Sequence, residues 1–363
     1  MTALDTKKEW EEYCRQEIET LRPFLRDLSF ELDAEQVHIG GERYAFSEKK
    51  LVLLAKHLPD RLPVIIKVSN DLKGIQEIKK ERQSRAVMAK INFAYHVFYS
   101  PTEIFYQEQN GRVIFITKYI EQDCQFLDRP LLDQFFLALK GLEVQEGVQV
   151  TTYEHARSIS KHFGVWQAKD YLDKFSQYQQ EVSASLIDSP EILSLYQKAK
   201  EFLNGQAEII DLYSGFLTHW DFVPHNIRVQ GNNIYLLDHS SIRFGNKYES
   251  WARFINFMSM HNPDLEKALL FYVQKNRSQS EYASLQAMRV FRLTEIIWHY
   301  ANTLSKVEGD LLVLNKLRIK FYMQLLTVVL INQYLEPSVV KEYLVQRDSL
   351  RSDTEKLRQK NLH

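Results

Sequence analysis

The sequence predicts an α+β protein with two lobes. Short strand-like runs occur between residues 36 and 118, and from about residue 125 the apolar period changes from two to 3.6. Strands grouped ahead of helices favour an α+β arrangement over a parallel sheet with interleaved helices. The 363 residues suffice for two lobes with a sizeable core.

We divide the chain into four segments on these patterns. Residues 1–35 are expected to form an N-terminal helical extension, 36–120 a small strand-rich lobe, 121–335 a large helical lobe and 336–363 a charged helical tail. The tail is polar on most positions, so a solvated terminal helix is expected there rather than a coiled coil.

Composition excludes several classes of protein. The charged fraction is 26% and the net charge is −1, which gives no electrostatic reason to expect a nucleic acid or an anionic membrane as partner. Cys14 and Cys124 are far apart in sequence, which fits a reducing compartment and excludes a disulfide-rich scaffold. The first twelve residues contain no apolar run, so no signal peptide is expected. The apolar run 321–335 is too short to span a bilayer, and we expect a cytoplasmic protein.

The first elements are a helix over 5–22, which Pro23 should end or kink, and three strands within 36–69. The first strand is expected to close at V-H-I-G-G, the second to follow the loop R-Y-A-F-S-E-K-K, and the third to be L-P-V-I-I-K-V-S. The third strand carries Lys67 among β-branched residues. A buried ammonium needs a carboxylate or phosphate partner, so Lys67 either has such a partner or lies on the solvent face of an edge strand.

A charged amphipathic helix is predicted over 71–91. It carries Glu77 and Glu81, four residues apart and therefore on the same side, and either could pair with Lys67. Strands at 102–107 and 112–118 follow, joined by the hairpin signal E-Q-N-G.

The stretch 216–243 contains the polar residues His219, Asp221, Asn226 and Asp238. Two short apolar runs within it flank the turn Gly-Asn-Asn, so the pattern indicates a loop, a hairpin and a carboxylate at the end of the second strand. Two carboxylates and one amide could then face a common space. Phosphoryl transfer needs a group that orients the attacking hydroxyl and oxygen ligands that hold Mg²⁺ on the nucleotide phosphates.

This H-x-D-x-x-x-x-N motif with its strand-terminal Asp resembles the aminoglycoside phosphotransferase-like branch of the protein-kinase-like superfamily. The resemblance implies a two-lobed protein-kinase-like fold, with a small antiparallel sheet and a helix ahead of a mostly helical lobe. It implies Asp221 as the catalytic base, Asn226 and Asp238 as Mg²⁺ ligands, and His219 as a structural residue behind the loop.

The same resemblance assigns the nucleotide site. Lys67 is expected to contact the α- and β-phosphates of ATP and to pair with a helix glutamate, for which Glu81 is favoured over Glu77. The segment around Tyr119 is expected to be the hinge between the lobes, where backbone groups contact adenine.

The chain departs from the family pattern at three places. No G-x-G-x-x-G is present; the loop from Gly40-Gly41 could still cover phosphates with backbone N–H groups and Ser47, or be a plain bend. In the G-D-P-x-x-D element of the family, Gly245 matches the glycine and Glu249 can stand for the second Asp, but Asn246 and Lys247 depart from the pattern. His239 replaces the usual residue after the metal Asp and is not expected to act as a base.

The expected function is an ATP- and Mg²⁺-dependent phosphotransferase that acts on a hydroxyl of a small molecule, with the nucleotide and that acceptor as partners. One alternative is a kinase-fold protein that binds nucleotide or scaffolds partners without turnover. The other is a kinase of a protein or glycoconjugate, against which Val223 argues mildly, because protein kinases usually carry Lys at that position. The sequence leaves the acceptor and the oligomeric state open.

Overall fold

The computed structural model describes residues 3–46, 49–90, 99–150, 153–186 and 189–360. Within them the chain forms a small lobe around a five-stranded antiparallel sheet and a larger, mostly helical lobe. The predicted α+β, two-lobed, protein-kinase-like fold is confirmed.

In the described ranges 3–46, 49–90 and 99–118, the small lobe contains three α-helices and five strands. They are α1 (Ala3–Asp27), β1 (Phe30–Leu32), α2 (Arg43–Phe46), β2 (Leu51–His57), β3 (Pro63–Ser69), α3 (Leu72–Lys90), β4 (Glu103–Gln109) and β5 (Arg112–Lys118).

The strand order β1-β2-β3-β5-β4 places β3 in the middle of the sheet. One face packs on α1, where alternate residues of β2 and β3 such as Leu53 and Ile66 are buried with Leu21 and Leu25 of the helix. On the other face Val113 and Phe115 of β5 pack on Ile78 of α3. Because side chains alternate between the faces of a strand, Lys67 of β3 lies on the α3 side, toward the large lobe.

The large lobe begins after β5. Its elements are α4 (Leu131–Glu146), α5 (Tyr153–His162), α6 (Ala168–Ser185), α7 (Pro190–Gly205), α8 (Ala207–Leu212), β6 (Phe216–His219), β7 (Ile227–Gln230), β8 (Asn233–Leu236), β9 (Ile242–Gly245), α9 (Glu249–His261), α10 (Pro263–Asn276), α11 (Gln279–Ala301), α12 (Gly309–Leu330), α13 (Pro337–Leu350) and α14 (Asp353–Lys360).

The core of the large lobe lies around α9 and α11, which carry buried aromatic residues such as Trp251, Phe254 and Phe291. The large lobe also contains two small antiparallel sheets, the hairpin β7–β8 and the pair β6–β9 that encloses it in the chain. No helix in the described part of the chain combines the length and apolar character that crossing a membrane requires.

Three predictions about the first seventy residues were wrong in whole or in part. Of the two effects predicted for Pro23, the end of the helix does not occur: α1 continues to Asp27, because burial of Leu21 and Leu25 on the sheet holds the last turn in place despite the missing N–H. The first strand is Phe30–Leu32, too short to show an alternating pattern, and V-H-I forms a 3-10 turn instead. Part of the expected loop, Arg43–Phe46, is helical.

The prediction of a solvated terminal helix was also wrong. Helix α13 buries Val340 and Tyr343, and the Tyr343 ring stacks on Phe321 of α12. Helix α14 then reaches back to the small lobe, where its buried Glu355 accepts a hydrogen bond from the backbone N–H of Glu42 at 3.0 Å. The tail therefore belongs to the space between the lobes.

Candidate active site

Lys67 projects from the central strand β3 toward α3 and meets Glu81. Its Nζ lies 2.6 and 2.5 Å from the two carboxylate oxygens of Glu81, and both side chains are mostly shielded from solvent. Glu77 instead lies 2.5 Å from Nζ of Lys50 on the edge of β2. Of the two glutamates that the sequence left open, Glu81 is thus the one that pairs with Lys67.

His219 ends β6 and holds the backbone around it. The ring Nε2 of His219 lies 3.2 and 3.1 Å from the carbonyl oxygens of Leu237 and Asp238. The backbone N–H of His219 donates to Oγ of Ser250 at 3.0 Å. The ring thereby connects β6 to the end of β8. These contacts tie the backbone that precedes Asp221 to the backbone of Asp238.

Gly245 and Glu249 lie immediately behind this loop. The carboxylate of Glu249 is fully buried and accepts hydrogen bonds from Arg243 and from the Tyr171 hydroxyl. A Cβ on Gly245 would come within 2.3 Å of that hydroxyl, so only glycine fits. Ser250, the next residue of α9, makes the direct contact with the loop.

Asp221 is held by two neighbours. Nδ2 of Asn226 donates to its Oδ2 at 2.9 Å, and Nε of Arg253 on α9 donates to its Oδ1 at 2.9 Å. Burial opposes ionisation, but the guanidinium of Arg253 and the nearby His225 outweigh it and lower the pKa of Asp221. The side chain is therefore an oriented carboxylate at neutral pH.

Asp238 follows β8 in a left-handed backbone conformation, with φ of 50°. Aspartate tolerates that region better than most residues, and the tight turn lets the hydroxyls of Ser240 and Ser241 donate to its two oxygens at 2.5 and 3.2 Å. Burial opposes the charge, but Lys50 and Lys67 outweigh it and hold the pKa of Asp238 well below its usual value. Asp238 thus offers an ionised carboxylate.

His239 points away from this chemistry. It is buried, and its Nε2 lies 2.8 Å from Oγ of Ser100. Burial, together with the positive charge of Arg85, lowers its pKa well below the ordinary histidine value, so the ring is neutral.

Lys67, Glu81, Asp221, Asn226 and Asp238 line one cavity of about 390 Å³ between the lobes. We call it the cleft cavity. Apolar side chains from both lobes complete the lining of the cleft cavity. The segment that follows β5 contributes to the lining as well. Tyr119 lines it from that segment while its backbone N–H donates to the carbonyl of Pro63 at 3.0 Å. Ser47 lies outside the described residues.

Helix α14 of the tail packs against one side of the loop that was expected to cover the phosphates. A Cβ added to Gly41, whose φ is 64°, would lie 2.3 Å from Oε2 and 3.1 Å from Cα of Glu355. From this loop and its flanks, His38 and Arg43 reach the cleft cavity. Arg358 and Gln359 of α14 line it as well.

A second cavity, of about 430 Å³, lies on the large-lobe side of Asp221. It shares with the cleft cavity the residues Arg43, Asp221, His225, Arg358 and Gln359. Six arginines line it, and we call it the arginine cavity. Asp221 therefore lies on the wall between two adjacent cavities.

Sequence reasoning missed three cations of this site. Lys50 was placed in a loop. It directly precedes β2, the strand ahead of the one that carries Lys67, and that position was the signal for it. Arg253 lies one helical turn after Glu249 on α9, and its only signal was that spacing from a residue already singled out. Arg358 had none, because its location depends on how a distant tail folds back.

Comparison with known proteins gives the fold and nothing finer. No protein-family model matches the chain, and a search of curated proteins finds no match. Among solved structures, a thermostable mutant of aminoglycoside phosphotransferase APH(4)-Ia, apo form, matches at 13% identity and a TM-score of 0.58, covering 79% of this chain and 92% of that one.

Nucleotide complexes are among the matches. A variant of that protein in ternary complex with AMP-PNP and hygromycin B matches at 13% identity and a TM-score of 0.58, over 84% of this chain and 98% of that one. The ADP-bound aminoglycoside phosphotransferase APH(2'')-Ib matches at 14% identity and a TM-score of 0.51, over 77% and 90%. At such identities the likeness establishes the two-lobed kinase-like fold of this chain.

Proposed function

We propose that this protein is an ATP- and Mg²⁺-dependent phosphotransferase that moves the γ-phosphoryl group to a hydroxyl of a small molecule. One observation carries the proposal: Asp221 is an ionised carboxylate on the wall shared by two cavities. One cavity contains Asp238 and the Lys67–Glu81 ion pair, as a nucleotide site of this fold requires, and the other has the volume of a small-molecule site. Solved structures of the same fold with bound ADP or AMP-PNP support the nucleotide part.

The donor set fits a nucleotide-bound Mg²⁺. Mg²⁺ prefers hard oxygen ligands and keeps several waters, so one ionised carboxylate and one amide oxygen are a sufficient protein contribution. Asp238 supplies the carboxylate. Nδ2 of Asn226 donates hydrogen bonds to Asp221, which leaves Oδ1 of Asn226 as the amide oxygen that would bind the metal. The ion would neutralise charge on the phosphates.

Each protein group then has one task. Lys67, held by Glu81, binds the α- and β-phosphates, and Tyr119 with its neighbours after β5 contacts the base. Asp221 orients the acceptor hydroxyl and accepts its proton. A bond forms between the acceptor oxygen and the γ-phosphorus, the bond from that phosphorus to the β–γ bridging oxygen breaks, and ADP leaves with the electron pair.

Turnover of ATP by the purified protein, measured as ADP release over a panel of hydroxyl compounds, tests the proposal. Asp221→Asn should lower kcat by about 10²- to 10⁴-fold while Mg²⁺-dependent binding of ATP, followed by thermal shift, is retained. The exposed Asp133 on α4 provides the control Asp133→Asn, which should leave both unchanged. Undiminished turnover in Asp221→Asn would remove the assigned base.

One observation favours the alternative of a nucleotide-binding protein without turnover: α14 covers Gly41, the loop that would close over the phosphates. The same measurements separate the two. Mg²⁺-dependent ATP binding without ADP release on any acceptor of the panel would support the alternative and end the proposed phosphotransferase function.

A further inference from the structure

The arginine cavity has a charge that bears on the acceptor. Among the described residues, its lining contains six guanidinium groups and three carboxylates, the latter from Glu42, Asp221 and Glu295. The six arginines come from α2, α9, α11, α12 and the tail: Arg43, Arg253, Arg292, Arg318, Arg351 and Arg358. The wall is therefore net positive even with its histidines neutral.

All three carboxylates already bind an arginine. Glu42 lies 2.8 Å from Nη1 of Arg318, Asp221 lies 2.9 Å from Nε of Arg253, and Glu295 is paired with Arg292. An ammonium group entering the cavity would meet carboxylates that are neutralised and would add to the repulsion. The charge of the lining thus disfavours the binding of polycationic acceptors such as amino sugars.

Of the three remaining arginines, Arg358 is paired with Glu355, whereas Arg351 and Arg43 are desolvated next to other cations. Nε of Arg351 is buried and has no hydrogen-bond partner within the described part of the chain. Burial lowers the pKa of Arg351, and the neighbouring Arg347 and Arg318 lower it further. Burial likewise lowers the pKa of Arg43, and Arg358 adds to the effect. Desolvated cations that repel one another are costly, and a bound anion would remove that cost.

Guanidinium groups fit one ligand chemistry closely. Their planar fork binds carboxylate or phosphate oxygens through two parallel hydrogen bonds. The cavity also presents flat rings, among them Trp220, Trp298 and Tyr300, against which a sugar or carbon skeleton can pack. Asp221 at the far wall would then meet a hydroxyl of the same molecule.

We infer that the arginine cavity binds the acceptor, and that this acceptor is a small polyol or sugar that already carries a phosphate or carboxylate group. The inference rests on the proposed phosphotransferase function for its choice of Asp221 as the group that meets the hydroxyl. The transfer adds an O–P bond at that hydroxyl, breaks the γ-phosphorus bond to ADP, and passes the hydroxyl proton to Asp221. The anionic group remains bound by the arginines and does not react.

Calorimetric titration in the presence of Mg²⁺ and AMP-PNP isolates this cavity, because the nucleotide occupies the cleft cavity. The probes are matched pairs, namely glucose 6-phosphate, gluconate and glycerol 3-phosphate against glucose and glycerol, with gentamicin as the polycation. At least one anionic probe should bind at least about tenfold tighter than its uncharged parent, since charge-assisted hydrogen bonds are worth that much or more. Comparison of phosphate with carboxylate probes shows which anion is preferred.

Variants locate the binding. Arg351→Gln should weaken the anionic probe at least about tenfold without changing AMP-PNP affinity. Lys341→Gln on α13, whose side chain is exposed, removes a positive charge outside the cavity and should change affinity by less than about twofold. Should Arg351→Gln fold poorly, Arg43→Gln is read for the anionic probe in the same way, with AMP-PNP affinity measured as a separate result because Arg43 lines the cleft cavity as well.

Five outcomes distinguish the inference from its alternatives. Preferential binding of anions that depends on Arg351 supports the inference. Equal or tighter binding of gentamicin or of the uncharged parents overturns it, and so does the absence of binding by every anionic probe. ADP release with a neutral or cationic acceptor would keep the proposed function and overturn the inference. Anion binding without ADP release would keep the binding site and overturn the phosphotransferase function.

Discussion

The contact between the tail and the phosphate-loop position makes Gly41→Ala a sharp perturbation. The substitution adds a Cβ to a residue with φ of 64° and places it 2.3 Å from Oε2 and 3.1 Å from Cα of Glu355. The carboxylate cannot simply turn away, because it accepts hydrogen bonds from the Glu42 N–H at 3.0 Å and from Arg358 at 2.8 Å. The backbone of α14 must therefore shift.

The expected magnitude follows from two contributions. A left-handed conformation costs an L-residue roughly 1–2 kcal/mol, and loss of hydrogen bonds to a charged group costs about 1.5–3 kcal/mol. Gly111 provides the matched control, since its φ is 71° and nothing lies within 4 Å of an added Cβ. Gly111→Ala should have only the cost of the left-handed backbone conformation. The free energy of unfolding of Gly41→Ala should therefore be lower than that of Gly111→Ala by about 1.5–3 kcal/mol.

Urea denaturation of the two variants measures this difference, and the double variant Gly41→Ala with Glu355→Ala tests its source. Removal of the Glu355 carboxylate should make Gly41→Ala markedly less costly than in the wild-type background, because coupled sites do not add. Displacement of α14 also withdraws Arg358 from both cavities, so nucleotide and acceptor affinity should fall in Gly41→Ala and not in Gly111→Ala. Equal stability of the two glycine variants would refute the packing of the tail on this loop.

The remaining predictions concern the site itself. Glu81→Gln should raise the KM for ATP because Lys67 loses the carboxylate 2.5–2.6 Å away, whereas Glu77→Gln, which releases Lys50, should have a smaller effect. Asp238→Asn should abolish the Mg²⁺ dependence of the ATP-induced thermal shift. The acid limb of kcat/KM should lie below the ordinary aspartate range, because the pKa of Asp221 is lowered. Arg253→Gln should move that limb to higher pH, since removing a cation raises the pKa of a carboxyl group; an unmoved limb would show that another group titrates.

The local parts of the site could be predicted from the sequence. The motif from His219 to Asn226 and the carboxylate Asp238 are separated by one hairpin, so their proximity depends on a turn that the sequence signals clearly. Lys67 was recognised because an ammonium among β-branched residues demands a partner. Whether Glu77 or Glu81 supplies it could not be decided from spacing, since both lie on one side of α3; the sheet places Lys50 near the first and Lys67 near the second.

The parts that failed depend on contacts between distant segments. Pro23 has the local chemistry of a helix end, yet two buried leucines flanking it keep α1 intact. The tail has the composition of a solvated helix, and Glu355 nevertheless is buried 313 residues from its partner Glu42. A charged residue in a segment with few apolar neighbours in sequence gives no signal of burial when its partner is a backbone N–H of another lobe.

The acceptor is the feature least accessible from either the motif or the fold. The residues proposed to bind ATP line the cleft cavity, whereas the arginine cavity collects cations from α2, α9, α11, α12 and the tail. Among the described residues, the lining of the arginine cavity carries an excess of positive charge. Because one fold hosts many substrates, the sign of that charge, and not the resemblance, has to decide which acceptors are tried first.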